Sequence, residues 1–246
     1  MIACLVAVAA GCSWSSRTTL RVYAASSLTD AFRALEQPFE AAHPNVDLVL
    51  SFAGSQIHRL QIEHGAPADL FASANEAHLR ALSEVGAIEA AERFARNEVV
   101  AVVPASSSLR SFRELDRAGR IVVGTEATPI GGYTAELFDA ARAHFSAEFA
   151  DALEAHVVSR ESNVRLVRSR VVLGEADLAF VYRSDAGDER LRVVPLPDEL
   201  TVRATYAIGL ATRTSHRNAA EDFRAFLRSA EAQSQLRDHG LLQVAE

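Results

Sequence analysis

The stretch LRVYAASSLTDAFRALEQPFEAAHPNVDLVLSFA, Leu20 to Ala53, decides how the chain is read. Leu20–Ala25, apolar except at Arg21, reads as a strand. Leu28–Ala42 then sets Leu28, Ala31, Phe32, Leu35 and Phe39 on one helical face, and Pro44 stops the helix. Asp47–Ala53 is apolar again and reads as a second strand. A strand, an amphipathic helix and a strand in succession are the repeating unit of a parallel sheet with helices on its faces.

Outward from this unit the alternation continues. Ser55–His64 reads as a helix, Asp69–Ala74 as a strand, Asn75–Val85 as a helix capped by Asn75, and Glu98–Val103 as a strand closed by Pro104. A second series follows: strand Ile121–Thr125, helix Gly132–Phe145, strand Ala155–Val158 and helix Asn163–Leu173. Strands Leu178–Tyr182, Arg192–Leu196 and Ala204–Leu210 come next, then a helical stretch Ala219–Arg237 with a break near Ser229. Two series predict an α/β protein of two lobes, each a mostly parallel sheet flanked by helices. Lobe one takes residues 18–101 and 203–246, and lobe two residues 102–202. Two crossings make a two-strand hinge, and ligands of such sheets bind beyond the carboxyl ends of the strands, here between the lobes.

Composition narrows the function. The 246 residues are 49% hydrophobic and 23% charged, ordinary for a globular protein. Net charge is −7, and all 25 basic residues are Arg, with no Lys. No cluster of those Arg forms a basic face, which argues against a nucleic-acid partner, and an active-site lysine is excluded. Both cysteines, Cys4 and Cys12, lie in the opening MIACLVAVAAGC, so no disulfide, Cys-ligated zinc or thiol nucleophile can form beyond Cys12. That apolar run is shorter than the roughly 20 residues of a membrane span and reads as the core of a secretory leader. Ala10-Gly11-Cys12 resembles the end of a bacterial lipobox, with Cys12 lipidated as the new N-terminus; cleavage near Ala7–Ala9 is the alternative. Residues 1–17 are then leader and short linker, the mature chain is exported, and a lipid on Cys12 is its one membrane contact.

Four strand-to-helix junctions carry the chemistry. Ala24 to Asp30 (AASSLTD) sets Ser27 at an N-cap, with Asp30 placed to close a capping box. Ser51 to Gln56 (SFAGSQ) gives Gly54 a tight turn and opens a helix at Ser55. Thr128 to Tyr133 (TPIGGY) carries two glycines that let backbone approach a ligand. Glu161 to Arg165 (ESNVR) has Ser162 or Asn163 capping and the Val164 N–H in the first turn. Each start leaves unpaired N–H groups and about half a positive charge, so four converging starts offer roughly +2 to a dianion without an ionised side chain. A serine at such a place is equally a plain helix cap.

Elsewhere the signals are weaker. No G-x-S-x-G, Walker A, dinucleotide fingerprint or H-E-x-x-H is present. The eight histidines are scattered and read as surface or helix-end residues. Asp69 and Asp177 read as loop terminators, and Arg165 and Arg168 as a solvated helix face with Arg165 near the cleft. Tyr182 reads as a half-buried aromatic at a strand end that faces the cleft.

The runs VYAASSLTDAF (22–32), SFAGSQ (51–56), GAPADLFASA (65–74), TPIGGY (128–133), ESNVR (161–165) and AFVYRSDA (179–186), in this order, resemble the substrate-binding protein of bacterial molybdate ABC importers. The resemblance extends from about residue 20 to the C-terminus. It implies the type II periplasmic-binding-protein fold and a molybdate or tungstate ligand held between two lobes. By position it implies ligand-binding roles for the Ser27, Ser55 and Tyr182 hydroxyls and for the Ile130 and Val164 backbone N–H groups. Molybdenum would be bound only as its oxyanion, with no cofactor beyond that transported ligand. The implied partners are an ABC permease and its ATPase, and the implied state is a monomer, periplasmic or lipid-anchored, without enzymatic activity. Two positions depart from the family: Ile130 is bulkier than its common Ala, and Gly54 replaces a frequent Ser.

Three other readings compete. Sulfate has the same charge and shape as molybdate, whereas phosphate keeps a proton and needs an acceptor. A serine hydrolase built on Ser27 or Ser55 needs a histidine base, and only His58 is near in sequence. The effector half of a transcription regulator shares the fold but would need a DNA-binding segment and no export signal.

Overall fold

A computed structural model describes residues 17–244; the expected leader, with Cys4 and the proposed lipidation site Cys12, lies outside the described residues. The elements run β1 (Thr18–Ala25), α1 (Thr29–Ala42), β2 (Val46–Ala53), α2 (Ser55–Glu63), β3 (Leu70–Ser73), α3 (Glu76–Glu84) and β4 (Ile88–Pro104). They continue β5 (Ile121–Gly124), α4 (Pro129–His144), α5 (Ala147–Ala155), β6 (Val157–Glu161), α6 (Val164–Val172), β7 (Leu178–Tyr182), β8 (Leu191–Val194), β9 (Arg203–Ala211), α7 (Arg217–Leu227) and α8 (Ala230–Asp238).

The opening β-α-β unit forms as read. β1 and β2 pair in parallel from Thr18↔Val46 to Ala25↔Ala53. Helix α1 buries Ala31, Phe32, Leu35 and Phe39, the residues that share its apolar face. Burying each of the two Phe and Leu35 contributes about 1.5–3 kcal/mol. β3, β5 and β7 are buried at every position, as continuous apolar strands with both faces covered should be.

Strand order is β2-β1-β3-β9-β4-β7-β5-β6, with β8 also on β4. Each half holds a parallel trio, β2-β1-β3 and β7-β5-β6. Antiparallel strands β9, β4 and β8 join them at the centre. β4 belongs to both halves: Ile88–Glu98 pairs with β9, and Val99–Pro104 pairs with β7 and β8. Beside it the returning chain is tied by the Val99 N–H to the Val202 carbonyl, 2.9 Å.

Several elements differ from the sequence reading. β4 begins ten residues before the expected Glu98, since Ile88 is its first residue. Its first half escaped because the alternation is broken: the register shifts between Glu89 and Glu92 and again between Arg93 and Ala95, and Ala90 has φ of 49°. Helix α5 occupies Ala147–Ala155, where no helix was expected; it takes Ala155 from the expected strand, and β6 runs Val157–Glu161. Ser26–Leu28 forms a single 3-10 turn ahead of α1. The break near Ser229 is present, with the Ser229 hydroxyl accepting the Ala232 N–H to start α8.

Candidate functional site

The carboxyl ends of β1, β2 and β3 meet those of β5, β6 and β7 around one small cavity of about 10 Å³, the room of roughly one water-sized sphere. Ser27, Ser55, Ile130, Val164 and Tyr182 all line it. They are 4%, 1%, 2%, 3% and 1% exposed. Among the described residues lining the cavity none is Asp, Glu, Arg or His.

Each residue arrives with its hydrogen bonding already arranged. Ser27 sits in the 3-10 turn and caps nothing; its Oγ lies 2.8 Å from the Tyr206 hydroxyl. Asp30 closes no capping box and instead pairs with Arg165. Ser55 is the first residue of α2, after Gly54, and that start has no side-chain cap. The Ser55 hydroxyl accepts the Ala74 N–H at 3.2 Å, which leaves its own proton to donate. The plain helix-cap reading therefore fails for both serines.

In the second half the sequence Thr128-Pro129-Ile130-Gly131 isolates one donor. Proline has no N–H, the Gly131 N–H is taken by the Thr128 hydroxyl at 3.0 Å, and the Ile130 N–H remains for the cavity. α4 thus starts at Pro129, three residues before the expected Gly132. Gly131 is required by the turn rather than by a ligand, because a Cβ there would stand 1.9 Å from the Thr125 carbonyl oxygen. At α6 the Asn163 side chain accepts the Leu166 N–H at 3.1 Å, and the first-turn N–H of Val164 is left without an intrahelical partner. Tyr182 ends β7 fully buried rather than half-buried, and its hydroxyl has no hydrogen-bond partner among the described residues. Burial, with Tyr206, Tyr133 and Asp185 nearby, pushes it well above the ordinary tyrosine range, so it is a neutral O–H donor.

A serine-hydrolase mechanism finds no base here. His58 is buried, not on the surface as expected, and its two ring nitrogens face Gln61 Oε1 at 2.9 Å and the Ser51 carbonyl at 3.1 Å. Burial lowers its pKa, against the hydrogen bonds to Gln61 and Ser51.

Residues 20–242 match the family described as bacterial extracellular solute-binding protein. The chain belongs to that family. It is similar to the molybdate-binding protein ModA of Mycobacterium tuberculosis, 34% identical over 215 residues, covering 85% of this chain and 78% of the relative. It is also similar to the substrate-binding domain of a putative molybdenum ABC transporter from Clostridium difficile, with TM-score 0.72, 27% identity, and 93% and 100% of the two chains covered. The fold alone is shared with the sulfate-binding protein SubI of M. tuberculosis, with TM-score 0.81, 20% identity, and 93% and 88% covered.

In this solute-binding protein the two halves are drawn together around the cavity. Gln56 Nε2 donates to the Ser162 carbonyl at 2.7 Å, and the Tyr133 hydroxyl to the Ala74 carbonyl at 3.3 Å. Gly54 explains how closely they approach: a Cβ there would lie 2.5 Å from the Ser162 carbonyl oxygen, so the serine frequent in the resembling family could not be accommodated in this arrangement. Arg165 is no solvated helix residue. Its guanidinium reaches Asp30 at 2.5 Å and the Ser26 carbonyl at 3.3 Å, and its Nε lies 3.2 Å from Asp185 Oδ1. Arg168 likewise pairs with Asp188 at 2.7 Å. Asp185 is buried; burial pushes its carboxyl up to about 7, against the opposing pull of Arg165 and Arg168.

Several residues around the cavity escaped the sequence reading as functional residues: Tyr206, Asn97, Gln56 and Asp185. Each has a partner far away in the chain; Gln56 and Asp185 lie inside the SFAGSQ and AFVYRSDA runs, whereas no local motif marks Tyr206 or Asn97. Asp69, expected to end a loop, is buried and receives the Thr214 hydroxyl at 2.5 Å and the Arg21 N–H at 2.7 Å. Among the described residues no cluster of three or more metal-ligating side chains occurs, and no helix is long and apolar enough to cross a membrane.

Proposed function

We propose that this protein captures molybdate or tungstate between its two lobes, outside the cytoplasm, and delivers it to an ABC permease driven by its ATPase. The observation that carries the reading is the one-sided chemistry of the cavity. The Ser27, Ser55 and Tyr182 hydroxyls and two helix-start N–H groups line it from both halves, the Thr128 hydroxyl and Asn163 amide oxygen beside them are engaged at their own helix starts, and no carboxylate stands among them. Such a shell suits a fully deprotonated tetrahedral dianion and leaves the proton of hydrogen phosphate without an acceptor. The likeness to a protein named for molybdate binding supports the choice of ligand. Sulfate presents the same acceptors at smaller size, so cavity fit must separate it.

In this reading residues 18–101 with 203–246, and 102–202, are the moving lobes, and the paired crossings beside Val99 and Val202 are the hinge. The chain works as a monomer, without catalysis and with no cofactor beyond its cargo. Cys12 is its lipid anchor. Native mass spectrometry of the purified protein is expected to show one molybdate or tungstate per chain. Competition calorimetry is expected to rank both far ahead of sulfate and phosphate; either competitor within tenfold of molybdate overturns the ligand assignment.

A further inference from the structure

We propose that Tyr206 and Asn97 are positioning residues that set the direction of a hydrogen-bond chain ending on Ser27, so that Ser27 presents a proton to the cavity. The proposal rests on reading that cavity as an oxyanion site. Neither residue lines the cavity. Tyr206 lies on β9 and Asn97 on β4, both 0% exposed, where the two halves are joined.

The polarity follows from the partners. Asn97 Oδ1 accepts the Glu98 N–H at 2.9 Å, which fixes the orientation of the amide. Its Nδ2 can therefore only donate, to Ser184 Oγ at 2.8 Å and to the Tyr206 hydroxyl at 3.4 Å. The Tyr206 proton then has a single acceptor within reach, Ser27 Oγ at 2.8 Å. Asp185 and the Tyr182 hydroxyl are nearby, yet neither is hydrogen-bonded to it. Were Ser27 to donate to Tyr206 instead, the buried phenol proton would have nowhere to go. Ser27 accordingly accepts from behind and donates forward. Ser55 reaches the same posture by accepting the Ala74 N–H. A chain of aligned donors polarises its last member, which strengthens the bond that member gives to an anion.

Tyr206→Phe is the direct test, because it keeps the ring that packs on Phe94 and Tyr182. Orientation and polarisation of a charge-assisted bond are worth part of that bond, so molybdate affinity is expected to fall about 3- to 10-fold. The decisive readout is the double-mutant cycle with Ser27→Ala. If Tyr206 acts through Ser27, Tyr206→Phe changes affinity less than about twofold in the Ser27→Ala background. Loss of the same size in both backgrounds assigns Tyr206 to general packing and overturns the proposal, as does no loss in the first. Asn97→Asp is the polarity test. An acceptor there draws the Tyr206 proton away, so that Ser27 donates back to Tyr206 and faces the cavity as an acceptor, while the Glu98 N–H and the Ser184 hydroxyl stay paired. The ratio of molybdate to phosphate affinity is expected to shrink at least tenfold; an unchanged ratio overturns the proposal. If Asn97→Asp does not fold, the Tyr206 cycle decides alone. Wild-type protein that binds no tetrahedral anion overturns the function proposed above, whereas tight binding with a flat cycle overturns the relay only.

Discussion

The two walls of the cavity donate by different means. The first half offers side-chain hydroxyls, Ser27 and Ser55, each backed by another donor, Tyr206 or the Ala74 N–H. The second half offers backbone N–H groups at Ile130 and Val164, each next to a side-chain cap that consumes a different first-turn N–H. One wall is therefore written in side chains and can be erased by substitution. The other is written in chain geometry, where residue identity matters only for keeping the turn. Tyr182 is the exception in the second half, a hydroxyl held alone.

The largest break in this comparison should come from the hydroxyl wall. Ser27→Ala, Ser55→Ala and Tyr182→Phe each remove one hydroxyl of the proposed oxyanion shell, and molybdate affinity in calorimetry is expected to fall roughly 10- to 150-fold per variant. Next comes Gly54, where the walls touch. A Cβ at 2.5 Å from the Ser162 carbonyl oxygen overpacks the closed arrangement by about 1–3 kcal/mol, so Gly54→Ala is expected to lose roughly 5- to 150-fold in affinity with an unaltered melting temperature of the ligand-free protein. Small-angle scattering should show less compaction on adding molybdate.

Asp185 sharpens the comparison through pH. Its carboxyl is raised to about 7 by burial, so the folded state holds that proton more tightly than the unfolded chain. The stability this contributes is present below the unfolded value near 4 and is lost as pH rises through 7. Between pH 5 and pH 8 the wild type is expected to lose about 2 kcal/mol relative to Asp185→Asn in denaturant unfolding; parallel curves would place the carboxylate in a better-solvated setting. The smallest effect belongs to the backbone wall. Ile130→Val should cost about 0.5–1.5 kcal/mol of stability yet change molybdate affinity less than about twofold, because the donor is its N–H.

Much of this was legible in advance, and the reasons differ by level. The parallel trios were readable because IVV and LAFVY are uninterrupted apolar runs, and LRVYAA is one broken only by Arg21, beside helices with one apolar face. The junction residues were readable because hydroxyls, glycine and proline cluster at helix starts. The hydroxyl geometry was not. Ser27 reads locally as a cap, and only the distant Tyr206 shows that its oxygen is engaged elsewhere. The first half of β4 stayed hidden because two register shifts break the period of two. Arg165 reads as surface because both of its carboxylate partners, Asp30 and Asp185, lie outside its helix.

The place of β9 in the sheet also fixes an order of assembly. It lies between β3 and β4, yet it is made after every other strand. As the chain emerges, β3 and the first part of β4 wait for a partner more than a hundred residues away, while β5, β6, β7 and the second part of β4 can already pair. The β2-β1-β3 trio and the second half can each pair before β9 is made, and the junction of β3 with β4 closes last around that non-local strand. Such long-range pairing slows folding. Truncation before Arg203 would leave β3 and β4 with open edges, the kind that promote pairing between chains.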